Sequence, residues 1–401
     1  MPSEGEVIGF TEIGRLRSYL PRELWAHRRY AFFRGMRLEI GPAHRDYSPA
    51  AAYVAATARY QGESRLGPAG TLEGYTAGQP FPMQTLRCSD PDAGQKIIWN
   101  YDHQWEGDGD HARFRYTYWD RGRRLDSYFE GSMTNVHLAH RVEEKWLAKA
   151  GGDLFRQEQR KSAVAYQLEA PRTLRGLRLV GHRLKAEPGL RPEQDRFWIY
   201  TPGDGQVTEL PQDRPWQSLP GSDLVFENMR GFSGIVTNYH WKCLREEEIF
   251  APVNTRVQGY PLDPDHSFGP LGLSYANDRW ELRKVVVLRM TPKHPDHHYG
   301  RKLLYLDRQT LRVLYSFAYD VKDEMWQISW HVGRWSEDDE LYYSGWEEVP
   351  SPRDAKTVGD VMVNVQLDTG RRVELWDNHG TPTLSRRGLR SFFDPYRRAS
   401  H

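Results

Sequence analysis

With 401 residues, the chain is long enough for one large or two medium domains and for a sizeable core. Its 55 lysines and arginines nearly cancel its 54 aspartates and glutamates, so a net charge of +1 gives no bulk electrostatic reason to bind nucleic acid or an anionic membrane. The apolar share is only 38%, yet 14 Trp and 22 Tyr lift the aromatic share to 13%; large flat side chains, suited to sheets and to binding cavities, supply much of the apolar surface.

Residues 1–75 read as a helical and irregular extension. Pro21-Arg22-Glu23-Leu24-Trp25 opens a short helix with Pro at its first position. Ser48-Pro49 and the Ala-rich stretch to Tyr60 predict a second helix, capped by Ser48. From Gly74 onward the period changes to two. Phe114, Tyr116 and Tyr118 alternate with Arg113, Arg115 and Thr117, and after a turn at Asp120-Arg121-Gly122 the run from Leu125 to Glu130 returns. Phe197 to Tyr200 and Val207 to Leu210 flank a hairpin loop, Thr201 to Gln206, with Pro and Asp-Gly turn chemistry.

The C-terminal third is a meander. Val285 to Met290 leads through a His- and Pro-containing loop to Leu303–Leu306. Val313, Tyr315, Phe317 and Tyr319 then share one face, as do Trp326, Ile328, Trp330 and Val332 after a turn at Lys322-Asp323. Val361, Val363, Val365 and Leu367 repeat the pattern before Asp368-Thr369-Gly370 turns into Val373–Trp376. The reverse faces carry Ser316, Ala318, Gln327, Ser329, His331, Asn364 and Gln366, the signature of an antiparallel sheet with one face to water. The expectation for residues 76–380 is therefore a mainly β domain: a curved antiparallel sheet forming a half-open barrel, with a β-sandwich as the alternative. Residues 381–401 form a tail.

Motifs for catalysis are missing: no GxSxG, HExxH, P-loop or GxGxxG occurs, and the chain is expected to be no enzyme and to hold no metal or cofactor. His294-Pro295-Asp296-His297-His298 carries metal-ligand residue types, but without a distant ligand set it reads as a solvated loop. Glu246-Glu247-Glu248 alternates across a strand, and Asp108–Asp110 lacks the full series of a calcium loop. Cys88 and Cys243 sit in no CxxC and read as two separate buried thiols, with a long-range disulfide as the other reading. The aromatic stripes are the functional candidates: Tyr315, Phe317, Tyr319, Trp326, Ile328 and Trp330, with Phe114 and Tyr116, would line a ligand cavity if the barrel interior is hollow.

Several segments resemble a known family in order along the chain. Arg37 to Pro42 with His44-Arg45-Asp46-Tyr47, Gly74-Tyr75, Ala77 to Pro82, and Ala93-Gly94 with Ile97 to Asn100 resemble its N-terminal half. Trp198 to Pro202, Gly231-Phe232-Ser233-Gly234, Tyr239 to Lys242 and Pro252-Val253-Asn254 resemble its middle, and Tyr305-Leu306-Asp307 with Tyr319-Asp320 its hairpins. The family is the proteobacterial domain of unknown function thirteen twenty-nine, similar to outer-membrane lipoprotein-sorting proteins. The resemblance implies a periplasmic carrier or chaperone of a hydrophobic, lipid-like molecule, built as a half-open β-barrel closed by helices. It also implies an outer-membrane β-barrel protein and an inner-membrane exporter as partners, and it brings Cys88 and Cys243 together, since both lie in matching segments. The alternative is a periplasmic adaptor that docks a membrane protein without a ligand of its own. Two features depart from the family pattern. Met1-Pro2-Ser3-Glu4-Gly5 has neither the basic nor the apolar region of a secretory signal, which alone reads as cytoplasmic, and Phe226-Glu227-Asn228 replaces an expected acidic pair.

Overall fold

The computed structural model describes residues 1–120, 125–155, 158–185, 195–211, 225–257, 259–262, 267–338, 353–379 and 386–396. The expected turn residues Arg121 and Gly122 and part of the C-terminal tail lie outside them. The N-terminal region holds β1 (Val7–Ile8), a 3-10 helix (Phe10–Tyr19), α1 (Arg22–Ala26), β2 (Leu38–Ile40), α2 (Ala51–Arg59), β3 (Arg65–Leu66), β4 (Leu72–Glu73) and α3 (Ala93–Asp102). A first run of strands follows: β5 (Gly109–Trp119), β6 (Leu125–His137), β7 (Arg160–Ala170), β8 (Arg178–Leu184), β9 (Arg196–Thr201) and β10 (Gln206–Glu209), with α4 (Glu144–Ala150) between β6 and β7. The second run is β11 (Tyr239–Ala251), β12 (Arg279–Pro292), β13 (Tyr299–Asp307), β14 (Val313–Asp320), β15 (Met325–Trp335), β16 (Ala355–Asn364) and β17 (Thr369–His379), before α5 (Arg386–Phe392).

Fifteen of these strands form one sheet in the order β1-β2-β12-β13-β14-β15-β16-β17-β5-β6-β7-β8-β9-β10, with β11 also on β12. All its pairs are antiparallel except β2–β12. The two meanders, β12–β17 and β5–β10, are thus zipped together by β17 and β5, and among the described residues the end strands β1 and β10 are not paired with each other. The expected mainly β, largely antiparallel architecture with N-terminal helices holds. A single continuous sheet replaces the sandwich alternative.

Directly opposed residues share a face, so the register sorts side chains into two sets. Val287, Tyr305, Tyr315, Trp330, Val361, Arg372 and Thr117 form one row across seven strands on the front face. Residues from Ile8 to Tyr47 and from Ile249 to Leu282 pack over it, and Tyr315 and Phe317 are 0% exposed. The tyrosine hydroxyls are satisfied in that packing: Tyr315 donates to the Phe250 carbonyl at 2.7 Å, and Tyr305 to Glu23 Oε2 at 2.9 Å. This face is a filled core.

The reverse face, expected to meet water, is covered across β12–β14, while Gln366 is exposed and Gln327, Ser329 and Asn364 are half-buried. Leu304, Leu306, Val286 and Leu288 there pack under α3 and the segment Phe232–Trp241, and Ser316 and His331 are buried. Sequence alternation missed α3, although Ala93, Ile97, Ile98 and Tyr101 fall at helical spacing and are buried. Gly94 lets α3 touch β11: a Cβ there would lie 2.6 Å from the Trp241 carbonyl oxygen. The cap of α2 is Ala50 rather than Ser48, whose hydroxyl donates instead to Asp46 Oδ1 at 2.7 Å. Two further corrections come from β-bulges, which add a residue to one strand and invert the parity beyond it. One between Tyr305 and Leu306 sends Val313 to the reverse face, and one opposite Ala318 and Tyr319 sends Trp326 there, beside Tyr299.

Cys88 and Cys243 are joined, with Cα atoms 4.9 Å apart and 155 residues of separation, so the reading as two free thiols does not hold. The bridge ties the segment before α3 to β11. In the chain-entropy model a loop of this length contributes about 4–5 kcal/mol. Denatured, unreduced protein should therefore show no titratable thiol, and Cys243→Ser should lower unfolding stability by a few kcal/mol; two free thiols would contradict the pairing.

Candidate ligand-binding site

The eight residues expected to line a ligand cavity divide between the two faces. Tyr315, Phe317, Ile328 and Trp330 sit together in the packed front core, with Tyr319 partly buried at its margin. Trp326, Phe114 and Tyr116 lie on the reverse face, the last two through their pairing with Leu375 and Val373. Among the described residues, a concave space lies instead at the strand ends.

There, a cleft of about 310 Å³ lies between α2, the segments around Tyr47 and Met83, Trp105 just beyond α3, the β13–β14 turn, the end of β15 and the start of β16. Two ring pairs wall it. Tyr47 and Trp335 stand with centroids 5.0 Å apart, and Tyr53 and Trp105 at 5.6 Å. Their polar handles point elsewhere: Tyr47 donates to Glu281 Oε2 at 2.7 Å, Tyr53 to the His103 carbonyl at 2.8 Å, and Trp335 Nε1 to Glu337 at 3.1 Å. What these side chains present to the cleft is ring surface. Asp307 holds the turn that forms one wall. Its carboxylate accepts the backbone N–H groups of Gln309 and Thr310 at 2.9 and 2.8 Å and the Arg283 Nε at 2.6 Å.

The inner end of the cleft is ionic. Glu106 accepts from Arg230 at 2.7 Å and from Arg312 at 2.8 Å, and Arg312 reaches Asp354 at 2.8 Å. Burial alone would raise the Glu106 carboxyl, but the two guanidinium groups outweigh it and hold it well below the usual carboxylate range. Beside this chain is a second, smaller hollow of about 30 Å³, which shares Tyr47, Thr310, Arg312, Trp335 and Ala355 with the cleft and adds Tyr101, Gln104, Arg230 and His331.

The reverse face supplies two neighbouring surfaces. One is a buried polar nest under the 3-10 turn Phe226–Gly231. His297 Nδ1 accepts the Tyr299 N–H at 3.0 Å, which leaves its Nε2 as the protonated nitrogen, 3.3 Å from Glu227 Oε1. Lys302 donates to Asn228 Oδ1 at 3.1 Å and to the Gly231 carbonyl; burial pushes its ammonium down to about 8, with Glu227 and Asp360 opposing. The other is an aromatic strip on β5–β7, where Phe114 meets Tyr166 and Tyr116 meets Phe129, with centroids 6.1 and 5.7 Å apart; Tyr166 reaches the Met229 sulfur from below.

Of the weaker sequence candidates, the His294–His298 run does not converge: His297 is buried against Glu227, while His298 faces Trp326. Glu246, Glu247 and Glu248 pair separately with Arg308, Arg245 and His44, and Asp108 pairs with Arg141. Among the described residues, no group of three metal-ligating side chains is close enough to hold an ion. The cleft residues were not picked out by periodicity because they sit in turns and at element ends. Tyr47 and Asp307 do belong to the segments carrying the family resemblance.

A family model described as "Protein of unknown function (DUF1329)" matches residues 26–372. No curated protein matches the chain. Among solved structures, the chain is similar to a DUF1329 family protein from Desulfovibrio piger, at 16% identity and a TM-score of 0.49 over 76% of this chain and 98% of that one. It is also similar to an outer membrane lipoprotein-sorting protein domain from Vibrio parahaemolyticus, at 14% identity and 0.48 over 74% and 96%. A LolA superfamily protein from Nitrosomonas europaea matches at 10% identity and 0.40 over 73% and 94%.

Lys302 gives the polar nest a titration signature. Its folded value of about 8 lies below the ordinary 10.5, so between these values the unfolded chain binds more protons and folding stability rises with pH. The stability difference between the wild type and Lys302→Met should thus shift in favour of the wild type from pH 8 to pH 10.5. Chemical denaturation across that range measures it; a constant difference would contradict the assignment.

Proposed function

Because its family model spans most of the chain, this protein belongs to the DUF1329 family, and we propose that it carries a hydrophobic, lipid-like molecule across the periplasm between inner and outer membranes. The observation that carries this reading is the cleft walled by Tyr47, Trp335, Tyr53 and Trp105. Its volume of about 310 Å³ lies at the lower end of the range for small-molecule sites, roughly 300–1,000 Å³. Removing apolar ligand surface from water there is worth about 25 cal/mol per Å². The Cys88–Cys243 bridge supports an oxidising compartment such as the periplasm. In this reading an inner-membrane exporter and an outer-membrane β-barrel protein are the loading and receiving partners.

Native mass spectrometry of the purified protein should reveal a co-purifying apolar molecule, and a fluorescent apolar probe should bind the delipidated protein. Trp105→Ala should weaken the probe about tenfold, as loss of an aromatic anchor does. Phe317→Ala should instead lower stability by about 3–5 kcal/mol, the usual loss for a packed aromatic, with probe affinity kept. A clean apo mass with no probe binding would overturn the carrier reading and favour an adaptor that docks a membrane protein.

A further inference from the structure

Among the described residues, four buried polar atoms of side chains lining the smaller hollow find no hydrogen-bond partner: Gln104 Oε1, Arg312 Nε and both ring nitrogens of His331. Buried polar atoms are ordinarily satisfied, and here the side chains that carry these orphans line one space of about 30 Å³, enough for a single oxygen atom and its hydrogen. The two carboxylates around Arg312 already take its NH1 and NH2 groups, so Nε is the donor left over. His331 Nδ1 lies 2.9 Å from Asp360 Oδ2 without hydrogen-bond geometry, so the ring fixes neither nitrogen as donor or acceptor. The hollow therefore offers a donor in Arg312 Nε and an acceptor in Gln104 Oε1.

We propose that the hollow is the head-group pocket of the cleft, and that the cargo is an apolar molecule ending in a single uncharged hydroxyl. This inference rests on the carrier reading and names its substrate class. A hydroxyl accepts from Arg312 Nε and donates to Gln104 Oε1 with the same oxygen. A ketone accepts but cannot donate. An ammonium donates but has nothing with which to accept from Arg312. A carboxylate would accept from Arg312 but leave the Gln104 acceptor unmatched, and it would bring a negative charge beside the carboxylates already there. Around the hollow, Glu106 takes Arg230 and Arg312, Asp307 takes Arg283, and Asp354 takes Arg312 and Lys356. An added anion there would have to compete with these carboxylates for the same cations. Tyr47 and Trp335 border both spaces, so an apolar body lying on these rings in the cleft leads its head group past Arg312.

Decanol, decane and decanoate, each competed against a bound N-phenylnaphthylamine probe, separate the alternatives. Decanol should bind about tenfold more tightly than decane or decanoate, the scale expected for pairing otherwise unsatisfied groups. Gln104→Leu should bring decanol to within about twofold of decane while leaving decane unchanged. Equal binding of decanol and decane in the wild type, as when the hollow simply keeps a water, overturns the hydroxyl assignment and leaves the carrier reading standing; so does a preference for decanoate. Failure of all three to displace the probe, or of the probe to bind, overturns the carrier reading itself. The wild-type comparison decides the question even if the Gln104 variant does not fold.

Discussion

A sheet with two apolar faces must find cover for both, and that constraint organises this molecule. The row from Val287 to Val361 is closed by the first fifty residues and by the stretch between β11 and β12. The opposite row is closed by α3, which the Cys88–Cys243 bridge and the close approach at Gly94 hold against β11. With both faces occupied around β12–β14, concave space remains at the strand ends, where the two covers part. The cleft is a consequence of how the covers meet rather than of the sheet alone.

That position also explains why the site is ionic at its inner end. Strand ends and turns leave backbone groups without ladder partners, and charged side chains take their place. Asp307 satisfies the turn after β13, and Glu106 sits between Arg230 and Arg312. Burying so many charges is tolerable only while each stays matched. The arginines cannot turn toward an anionic ligand without stranding Glu106 or Asp354, so the site keeps its charge pairs and offers a ligand ring faces and a few leftover hydrogen-bonding atoms.

The strands were legible in the sequence because alternation of Tyr315, Phe317, Ile328 and Trp330 reports directly on a pleated, buried face. The hairpin of β9 and β10 was legible from its turn chemistry. Alternation fails where a bulge inserts one residue, which is why Val313 and Trp326 went to the wrong face. It also cannot tell a filled interior from a hollow one: the same aromatic stripe serves both, and only the N-terminal cover over Tyr315 and Phe317 decides. The cleft was harder still. Tyr53, Trp105 and Trp335 come from three distant segments without a shared period, and nothing local marks them as neighbours. Glu227 and Lys302, single charges in otherwise ordinary runs, carry no local signal that they will be buried together.

The central claim is that apolar cargo sits at the strand ends and not beneath the aromatic stripe of the sheet. Photolabelling with a diazirine-bearing fatty alcohol, followed by peptide mapping, tests it most directly. The account predicts adducts on the peptides carrying Tyr47 to Thr57, Trp105 and Trp335, which line the cleft. Adducts concentrated on β14 and β15 at Phe317 and Ile328 would contradict it.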